Sequence, residues 1–229
     1  MISLTSEQDK AQLKEHALEL LEKHNYEGLV TLVEVLNDTD FEFKDKNKAL
    51  IWAAYRGYLG TIKYLVEHGA DIHTDNDYAL RWTAFDGYLE IVKYLVEHGA
   101  DIHANNDFAL RKASNNGHLD VVKYLVENGA DIHVSNDYAL RWTAFNGQLE
   151  IVKYLVEHGA NIHALDDESL RCAADNGHLE IVKYLVEHGA NVHANHNYAL
   201  RAAEKYGHTE LVEYLEEVLK NDSTHQRTR

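Results

Sequence analysis

The residues best suited to chemistry in this sequence are its histidines, which recur at fixed spacing. There are 16 of them among 229 residues. Imidazole is a common metal ligand, so the pattern raises the question of a zinc site. Most of them fall into two series, which are His68, His98, His158 and His188, with Asn128 interrupting them, and His73, His103, His133, His163 and His193.

The spacing argues against metal binding. Successive members on packed helices would lie about 8–10 Å apart, whereas zinc ligands lie about 2 Å from the ion. Within one repeat, His98, Asp101 and His103 surround a glycine turn and could form at most a weak site. We therefore expect the histidines to hydrogen-bond turns, and no metal or other cofactor. A pH-responsive scaffold is an alternative, because mild acid would protonate many of them.

Motifs for catalysis are missing from the sequence. It has no phosphate-binding glycine loop, no paired-cysteine motif and no His-Glu-x-x-His. Cys172 is the only cysteine, and the equivalent residues of other repeats give no sign of the base that a nucleophilic thiol needs. We expect a protein that is not an enzyme, with Cys172 packed in a buried or half-buried position.

Charge and cysteine content narrow the partners and the compartment. The 38 acidic and 22 basic residues give a net charge of −16, which repels nucleic-acid phosphate and anionic lipid. We therefore expect a cationic or neutral protein partner, and neither nucleic acid nor membrane. A single cysteine fits a reducing compartment, and the amino terminus lacks a signal-peptide pattern, so a cytoplasmic location is predicted.

One segment positions all of these residues. The stretch 89–100 returns almost unchanged at 119–130, 149–160 and 179–190, and more loosely at 59–70, each copy starting 30 residues after the previous one. Such a period predicts an all-α solenoid of stacked helix-turn-helix units. The copies are so alike that they form the shared scaffold, and function is expected where the repeats differ.

Each repeat reads as two helices. In the second repeat, Asp77 is expected to cap the first helix and Gly87 to end it. The predicted buried stripe of the first helix contains Leu80 and Ala84, and Gly99 ends the second helix. The second helix is expected to turn four side chains inward, which are Leu89, Val92, Leu95 and Val96.

The domain boundaries follow from the repeats. Residues 1–43 are predicted to form N-terminal capping helices, and residues 44–195 five repeats of 30 residues. Residues 196–221 would form a C-terminal capping repeat, where glutamates replace repeat residues and suit a solvated end. These glutamates are Glu204, Glu213 and Glu216. Residues 222–229 are expected to be a disordered tail.

The segment Tyr78-Ala-Leu-Arg-Trp-Thr-Ala84, with Gly-Ala-Asp-Ile after the second helix, resembles the ankyrin repeat. Three residues of the usual unit of about 33 are missing between Ile102 and Leu110, where ankyrin repeats carry a hairpin. The resemblance therefore implies hairpin loops shortened to tight turns, as in the 30-residue arrays of giant DNA viruses. It also implies protein binding through a concave face lined by the turns and the first helices.

An arginine recurs where the family has a histidine that ties a helix to the neighbouring turn. With five donors, each arginine is expected to bind carbonyls or carboxylates of the adjacent turn. A stripe that binds anions is the alternative. The series is Arg81, Arg111, Arg141, Arg171 and Arg201.

The first helices carry the variable positions. We call equivalent positions in successive repeats a column. Tryptophan and a second aromatic residue lie three apart, and so share a helix face, in repeats one, two and four. We expect the variable columns to bind the partner, although the tryptophans could instead fill the core between repeats. The predicted partner-binding residues are Trp52, Tyr55, Arg56, Trp82, Phe85, Asp86, Lys112, Asn115, Asn116, Trp142, Phe145, Asn146, Asp175 and Asn176.

The sequence thus predicts a protein–protein interaction scaffold that binds an unidentified partner through its concave face. We expect a monomer. One alternative is a structural protein that associates with itself, for which a homodimer is possible. Another is a viral adaptor that recruits host proteins in the host cytoplasm.

Overall fold

The computed structural model describes residues 46–226, and side chains as far as residue 222. The capping helices expected in residues 1–43 lie outside the described residues. Within them the chain forms twelve helices and no strand. The helices are α1 Lys46–Arg56, α2 Leu59–Glu67, α3 Thr74–Phe85, α4 Leu89–Glu97, α5 Ala104–Asn116, α6 Leu119–Glu127, α7 Val134–Phe145, α8 Leu149–Glu157, α9 Ala164–Asp175, α10 Leu179–Glu187, α11 Ala194–Tyr206 and α12 Thr209–Gln226.

The described residues belong to two compact units. One contains residues 46–84 and 88–104, and the other contains Phe85–Gly87 and the residues from Asn105 onward. In the second unit, α9 packs between α7 and α11, and α8 packs between α6 and α10. In the first unit, α2 packs on α4. First helices thus stack on first helices and second on second, which confirms the predicted all-α repeat solenoid.

The first helix of each repeat buries the predicted stripe. Leu80 and Ala84 retain 1% and 0% of their exposure, and Leu110 and Leu140 are equally buried in the next repeats. Burying one such leucine contributes about 1.5–3 kcal/mol. Because every repeat supplies the same leucine, this column forms a continuous apolar seam within each unit.

The second helix turns to the core a face that partly matches the predicted one. Val92 and Leu95 are buried in α4 as predicted, together with Ile91 and Tyr94, whereas Leu89 and Val96 are only half-buried. The Tyr94 ring packs toward the preceding second helix, where its hydroxyl donates to the Lys63 carbonyl at 3.4 Å.

The end of the array is solvated, although not at every expected position. Glu204 is exposed in a column where Ala84 is fully buried. Glu216 is also exposed, but the Val96 column that it belongs to is half-buried in the repeats and not part of the core. Helix α12 continues to Gln226, past residue 221, where the sequence places the end of the last repeat.

Glycine ends the helices as predicted. Gly87 has φ +79°, and the amide of the next residue, Tyr88, donates to the Thr83 carbonyl at 2.8 Å. Gly99 has φ +96°, and the Ala100 amide donates to Leu95 at 2.9 Å. Both are left-handed helix stops, which glycine adopts at little cost. Residues 98–103 then form turns, as expected for a shortened hairpin.

A short left-handed turn precedes each first helix from α3 onward. In α3 it contains Asp75, Asn76 and Asp77, with φ of 50°, 61° and 55°. Asparagine and aspartate visit this region more readily than other residues with a Cβ. The Asp77 carboxylate, expected to cap its own helix, accepts instead from the Asp101 amide of the next turn at 2.8 Å. This column therefore ties the start of the first helix to the turn that follows the second helix.

Two buried serines should be replaceable with a gain in stability. Ser114 and Ser169 are fully buried in columns that hold alanine in neighbouring repeats, and within the described residues their hydroxyls have no hydrogen-bond partner. Because an unsatisfied buried hydroxyl costs about 1–3 kcal/mol, each serine-to-alanine change is expected to raise the free energy of unfolding by about 1 kcal/mol in urea titrations.

Thr143 provides the control for the serines. Its buried hydroxyl donates to the Ala139 carbonyl at 2.9 Å, so Thr143→Val should not stabilise the fold. A loss of stability in both serine variants would show that their hydroxyls are satisfied in solution.

Within the described residues, none of the helices combines the length and the apolar character needed to cross a bilayer.

Candidate functional site

The arginine column holds the left-handed turns in place. Arg111 donates from Nε to the Asn106 carbonyl at 2.8 Å and from Nη2 to the Asn105 carbonyl at 3.0 Å. The predicted donation to turn carbonyls is therefore confirmed, although the turn belongs to the arginine's own repeat. Arg141 has a further partner, because its Nη1 donates to Glu168 Oε2 of the next repeat at 2.7 Å.

The two histidine series bind within their own turns, as expected. His98 Nδ1 donates to the Tyr94 carbonyl at 2.7 Å, and its ring lies 3.9 Å from the tyrosine ring. In repeat three Asn128 takes the place of the histidine, and its Nδ2 donates to the Tyr124 carbonyl at 2.8 Å. In the other series, His133 Nδ1 lies 3.0 Å from Asp137 Oδ1. In the part of the chain that the structure describes, no three His, Cys, Asp or Glu side chains form a metal-binding group.

A third histidine series joins successive repeats, and the sequence reasoning missed it. His178 Nε2 donates to the Phe145 carbonyl at 3.0 Å, and His208 Nε2 to the Asp175 carbonyl at 3.1 Å. Gln148 Nε2 makes the equivalent bond to Asn115 at 2.9 Å. The presence of either histidine or glutamine in this column could have predicted the bond, since both side chains offer a nitrogen donor at similar reach.

The predicted specificity asparagines also bind the scaffold. Asn116 Nδ2 donates to the Phe85 carbonyl at 2.8 Å, and Asn146 Nδ2 donates to the Asn115 carbonyl at 2.9 Å. Asn176 Nδ2 donates to the backbone carbonyl of Cys172, in its own helix, at 2.9 Å. All three side chains remain exposed, but their amide donors hold helix ends.

In the first unit, the predicted aromatic residues differ in exposure. Tyr55 is 57% exposed, whereas Trp52 is half-buried between Tyr58, with ring centroids 5.6 Å apart, and Arg56, whose Cζ lies 5.8 Å from the indole. Trp82 is also half-buried. The tryptophans of this unit therefore take part in packing, which favours the alternative that they fill the core between repeats.

In the second unit, the most exposed aromatic pair lies in repeat four. Trp142 and Phe145 are 37% and 40% exposed, and their rings meet edge to face at 5.3 Å and 63°. Phe85 is half-buried by comparison, and Lys112 Nζ lies 5.6 Å from the Phe108 ring. Repeat four thus presents both rings of its pair to solvent, next to the more polar repeat three.

A cleft opens beside this pair, between α7 and α9. Its volume is about 230 Å³, and its walls are Arg141, Trp142, Phe145, Glu168 and Cys172. The side chains of Arg141 and Glu168 are 13% and 29% exposed, so their ion pair closes one side. Two predicted binding residues, Trp142 and Phe145, therefore share one concave site with three residues that were not in the predicted set.

Asp175, also predicted, lies one helical turn beyond Cys172 on α9. Its carboxylate accepts a hydrogen bond from the Tyr198 hydroxyl at 3.1 Å. The C-terminal capping repeat therefore already supplies a partner for this side chain.

Cys172 is a poor nucleophile in this setting. Burial, together with the charges of Glu168 and Asp175, raises the pKa of its thiol to about 11, although Arg171 and Arg141 act in the opposite direction. At pH 8 we expect alkylation by iodoacetamide to run about 100-fold slower in the folded chain than in urea, because only the thiolate reacts. Equal rates would contradict this environment for the thiol.

The same pKa predicts a loss of stability in alkali. A thiol whose folded pKa exceeds its unfolded value stabilises the fold fully below the unfolded pKa, near 9, and this contribution is lost as the pH rises through about 11. In Cys172→Ala, which copies Ala202 of the same column, the thiol-dependent part of that loss should disappear from denaturation curves measured across this range.

Comparison with known protein families gives one assignment. A family model described as Ankyrin repeats (3 copies) matches residues 17–106, 103–166 and 140–226. No curated protein matches the chain at a significant level.

Proposed function

Because the chain belongs to the ankyrin-repeat family, we propose that it is a scaffold that binds a partner protein through aromatic side chains of its first helices. Ankyrin repeats are generally protein–protein interaction modules and are typically not enzymes. The family thus supports the kind of function, and the side chains that vary between repeats are where we propose that the partner binds.

The observation that carries the proposal is the exposed Trp142–Phe145 pair beside its cleft. Large aromatic side chains dominate the binding energy of many interfaces, especially where a pocket adjoins them. The neighbouring repeats are different in the same columns, with Lys112 and Asn115 before the pair and Cys172 and Asp175 after it. Such an aromatic site between polar repeats favours one partner geometry over others.

We assign different roles to the predicted binding residues. Trp142, Phe145 and Tyr55 are anchors because they are the predicted aromatic residues with the greatest exposure. The other predicted aromatic residues, Trp52, Trp82 and Phe85, are half-buried and offer a partner less contact area. The remaining residues set specificity, which are Arg56, Asp86, Lys112, Asn115, Asn116, Asn146, Asp175 and Asn176.

The partner is expected to be a neutral or basic protein, since the net charge of −16 repels acidic ones. The resemblance to viral arrays and the cytoplasmic location stay predictions of the sequence.

The test transplants repeat three into repeat four. The double variant Trp142→Lys, Phe145→Asn places in α7 the residues that α5 already holds, so the melting temperature should change by only a few degrees. Capture of the partner from cells that contain the native protein, quantified by mass spectrometry, is expected to fall at least about 100-fold, since two hot-spot residues contribute about 2 kcal/mol each or more.

The matched control is Leu165→Asn. Leu165 is 49% exposed but lies in the left-handed turn, and Asn105 and Asn195 occupy its column. This variant should capture the partner as well as the wild type does. Undiminished capture by the double variant would refute the proposed site, and a wild-type dimer that the double variant dissolves in light scattering would favour self-association.

A further inference from the structure

Arginine and aromatic side chains alternate along the second unit. Arg111 Cζ lies 5.3 Å from the ring of Tyr138 in the next repeat, and Arg171 Cζ lies 5.5 Å from that of Tyr198. A guanidinium at this distance from a ring is attracted by the negative face of the ring. At both of these positions, the aromatic residue of the following repeat therefore covers the arginine before it.

Repeat five lacks this aromatic residue. Glu168 stands in the column of Tyr138 and Tyr198, and Cys172 stands in the column of Trp142. A tyrosine of both neighbouring repeats is thus replaced by a carboxylate, and the tryptophan of repeat four by a thiol where the following repeat has Ala202. Both groups line the cleft, which on the Glu168 side therefore lies where both neighbouring repeats place an aromatic side chain.

The size and the lining of the cleft define its occupant. A volume of about 230 Å³ is below the roughly 300–1,000 Å³ of small-molecule sites, so a single side chain fits better than a separate ligand. Trp142 and Phe145 supply two aromatic walls, on which a third ring can pack edge to face or offset.

Charge decides between an aromatic and a basic side chain. The Arg141 guanidinium already forms one wall, so it repels a second cation and attracts the face of a ring. Glu168 Oε2 is engaged by Arg141, but the side chain is still 29% exposed and can accept a further hydrogen bond. The chain shows the corresponding contact in the Tyr198 hydroxyl, which donates to Asp175.

We propose that the cleft between α7 and α9 receives one tyrosine side chain of the partner protein, which stacks on Arg141 and packs against Trp142 and Phe145. The incoming ring takes the place of the aromatic residue that repeat five lacks. This inference rests on the proposed function, because it names the partner side chain that the same site recognises.

The single cysteine allows a test without the partner. Cys172 lines the cleft, so its equilibrium mixed disulfides report how well an attached group fits there. We would incubate the full chain with p-hydroxyphenethyl, isopentyl and guanidinopropyl disulfides in a thiol buffer and quantify the adducts by mass spectrometry. The p-hydroxyphenethyl adduct is expected to exceed each of the others by at least about 10-fold.

Two variants make the result specific. Trp142→Lys, Phe145→Asn removes the aromatic walls and should abolish the preference. Glu168→Tyr gives repeat five the residue of its neighbours, fills the cleft from within and should also abolish it. A preference that survives Glu168→Tyr, or one for the guanidinopropyl group in the wild type, would overturn the proposal.

A second measurement does not depend on the slow reaction of the Cys172 thiol. N-acetyl-tyrosinamide, titrated into ¹⁵N-labelled protein, should shift the Trp142 indole resonance at lower concentration than N-acetyl-argininamide or N-acetyl-leucinamide. Equal responses would again refute the inference. If partner capture requires Trp142 and Phe145 but the cleft shows no tyrosine preference, the proposed function stands and this inference fails. If the cleft prefers tyrosine but partner capture does not require Trp142 and Phe145, the tyrosine preference stands and the proposed function fails.

Discussion

Replacing Asp137 with alanine is expected to lower the free energy of unfolding by about 3 kcal/mol. The carboxylate is 4% exposed, and its Oδ1 accepts from the Asn161 amide at 2.7 Å and lies 3.0 Å from His133 Nδ1. Losing hydrogen bonds to a charged group costs about 1.5–3 kcal/mol, and alanine at φ +53° adds about 1 kcal/mol. The melting temperature should fall by about 6–12 °C in a chain of this size, as measured by circular dichroism.

The chain itself supplies the control for Asp137. Asn47 and Asn197 occupy the same column, and Asn47 Oδ1 accepts from the Asp71 amide at 2.8 Å. Asp137→Asn should therefore cost less than about 1 kcal/mol, since asparagine keeps the acceptor and tolerates the left-handed backbone. Asp137→Gly relieves the backbone but removes the acceptor, so it isolates the hydrogen bonds. Equal stability of the alanine and asparagine variants would show that the hydrogen bonds of this side chain contribute nothing.

Replacing Gly147 with alanine is expected to cost about 3 kcal/mol as well. Its φ is +78°, and an added Cβ would lie 2.6 Å from Cε1 of His178. The ring would have to move and would lose the bond from its Nε2 to the Phe145 carbonyl at 3.0 Å. The backbone term contributes about 1–2 kcal/mol and the broken hydrogen bond about 1 kcal/mol more, which urea titration can resolve.

Gly207 separates the two causes. It stands in the same column with φ +75°, but among the described residues no atom lies within 4 Å of its added Cβ. Gly207→Ala should therefore show only the backbone cost, about 1–2 kcal/mol. Adding His178→Ala to Gly147→Ala completes a double-mutant cycle, in which the two losses should be less than additive. Equal losses at Gly147 and Gly207 would remove the imidazole contact from the explanation.

Much of the fold could be predicted because the sequence repeats. The period predicts stacked helix pairs, and the glycines at Gly87 and Gly99 mark helix ends whatever surrounds them. The exposure of Val96 could not be predicted, because an apolar side chain does not show which way its helix is rotated. The burial of Tyr94 depends on the preceding second helix, whose Lys63 carbonyl meets the hydroxyl.

The site was predicted less completely, for a similar reason. Segments 78–85 and 138–145 have identical sequences, yet Phe145 is exposed and Phe85 is half-buried. Local sequence therefore cannot determine exposure. What opens the cleft beside Trp142 is the pair Glu168 and Cys172, which belong to the next repeat and look unremarkable by themselves.

The hydrogen bonds between repeats have a consequence for how this chain folds and evolves. The bonds made by Asp137, Asn146 and His178 connect residues 24, 31 and 33 positions apart, so none of them reaches beyond the adjacent repeat. A chain with such low contact order closes only short loops on the way to its native state, which favours rapid folding. It also means that a duplicated or deleted unit leaves the same bonds to be made at the new junction. Gene duplication could therefore lengthen the array, and later substitutions in a single copy, such as those at Glu168 and Cys172, could create a site without disturbing the rest.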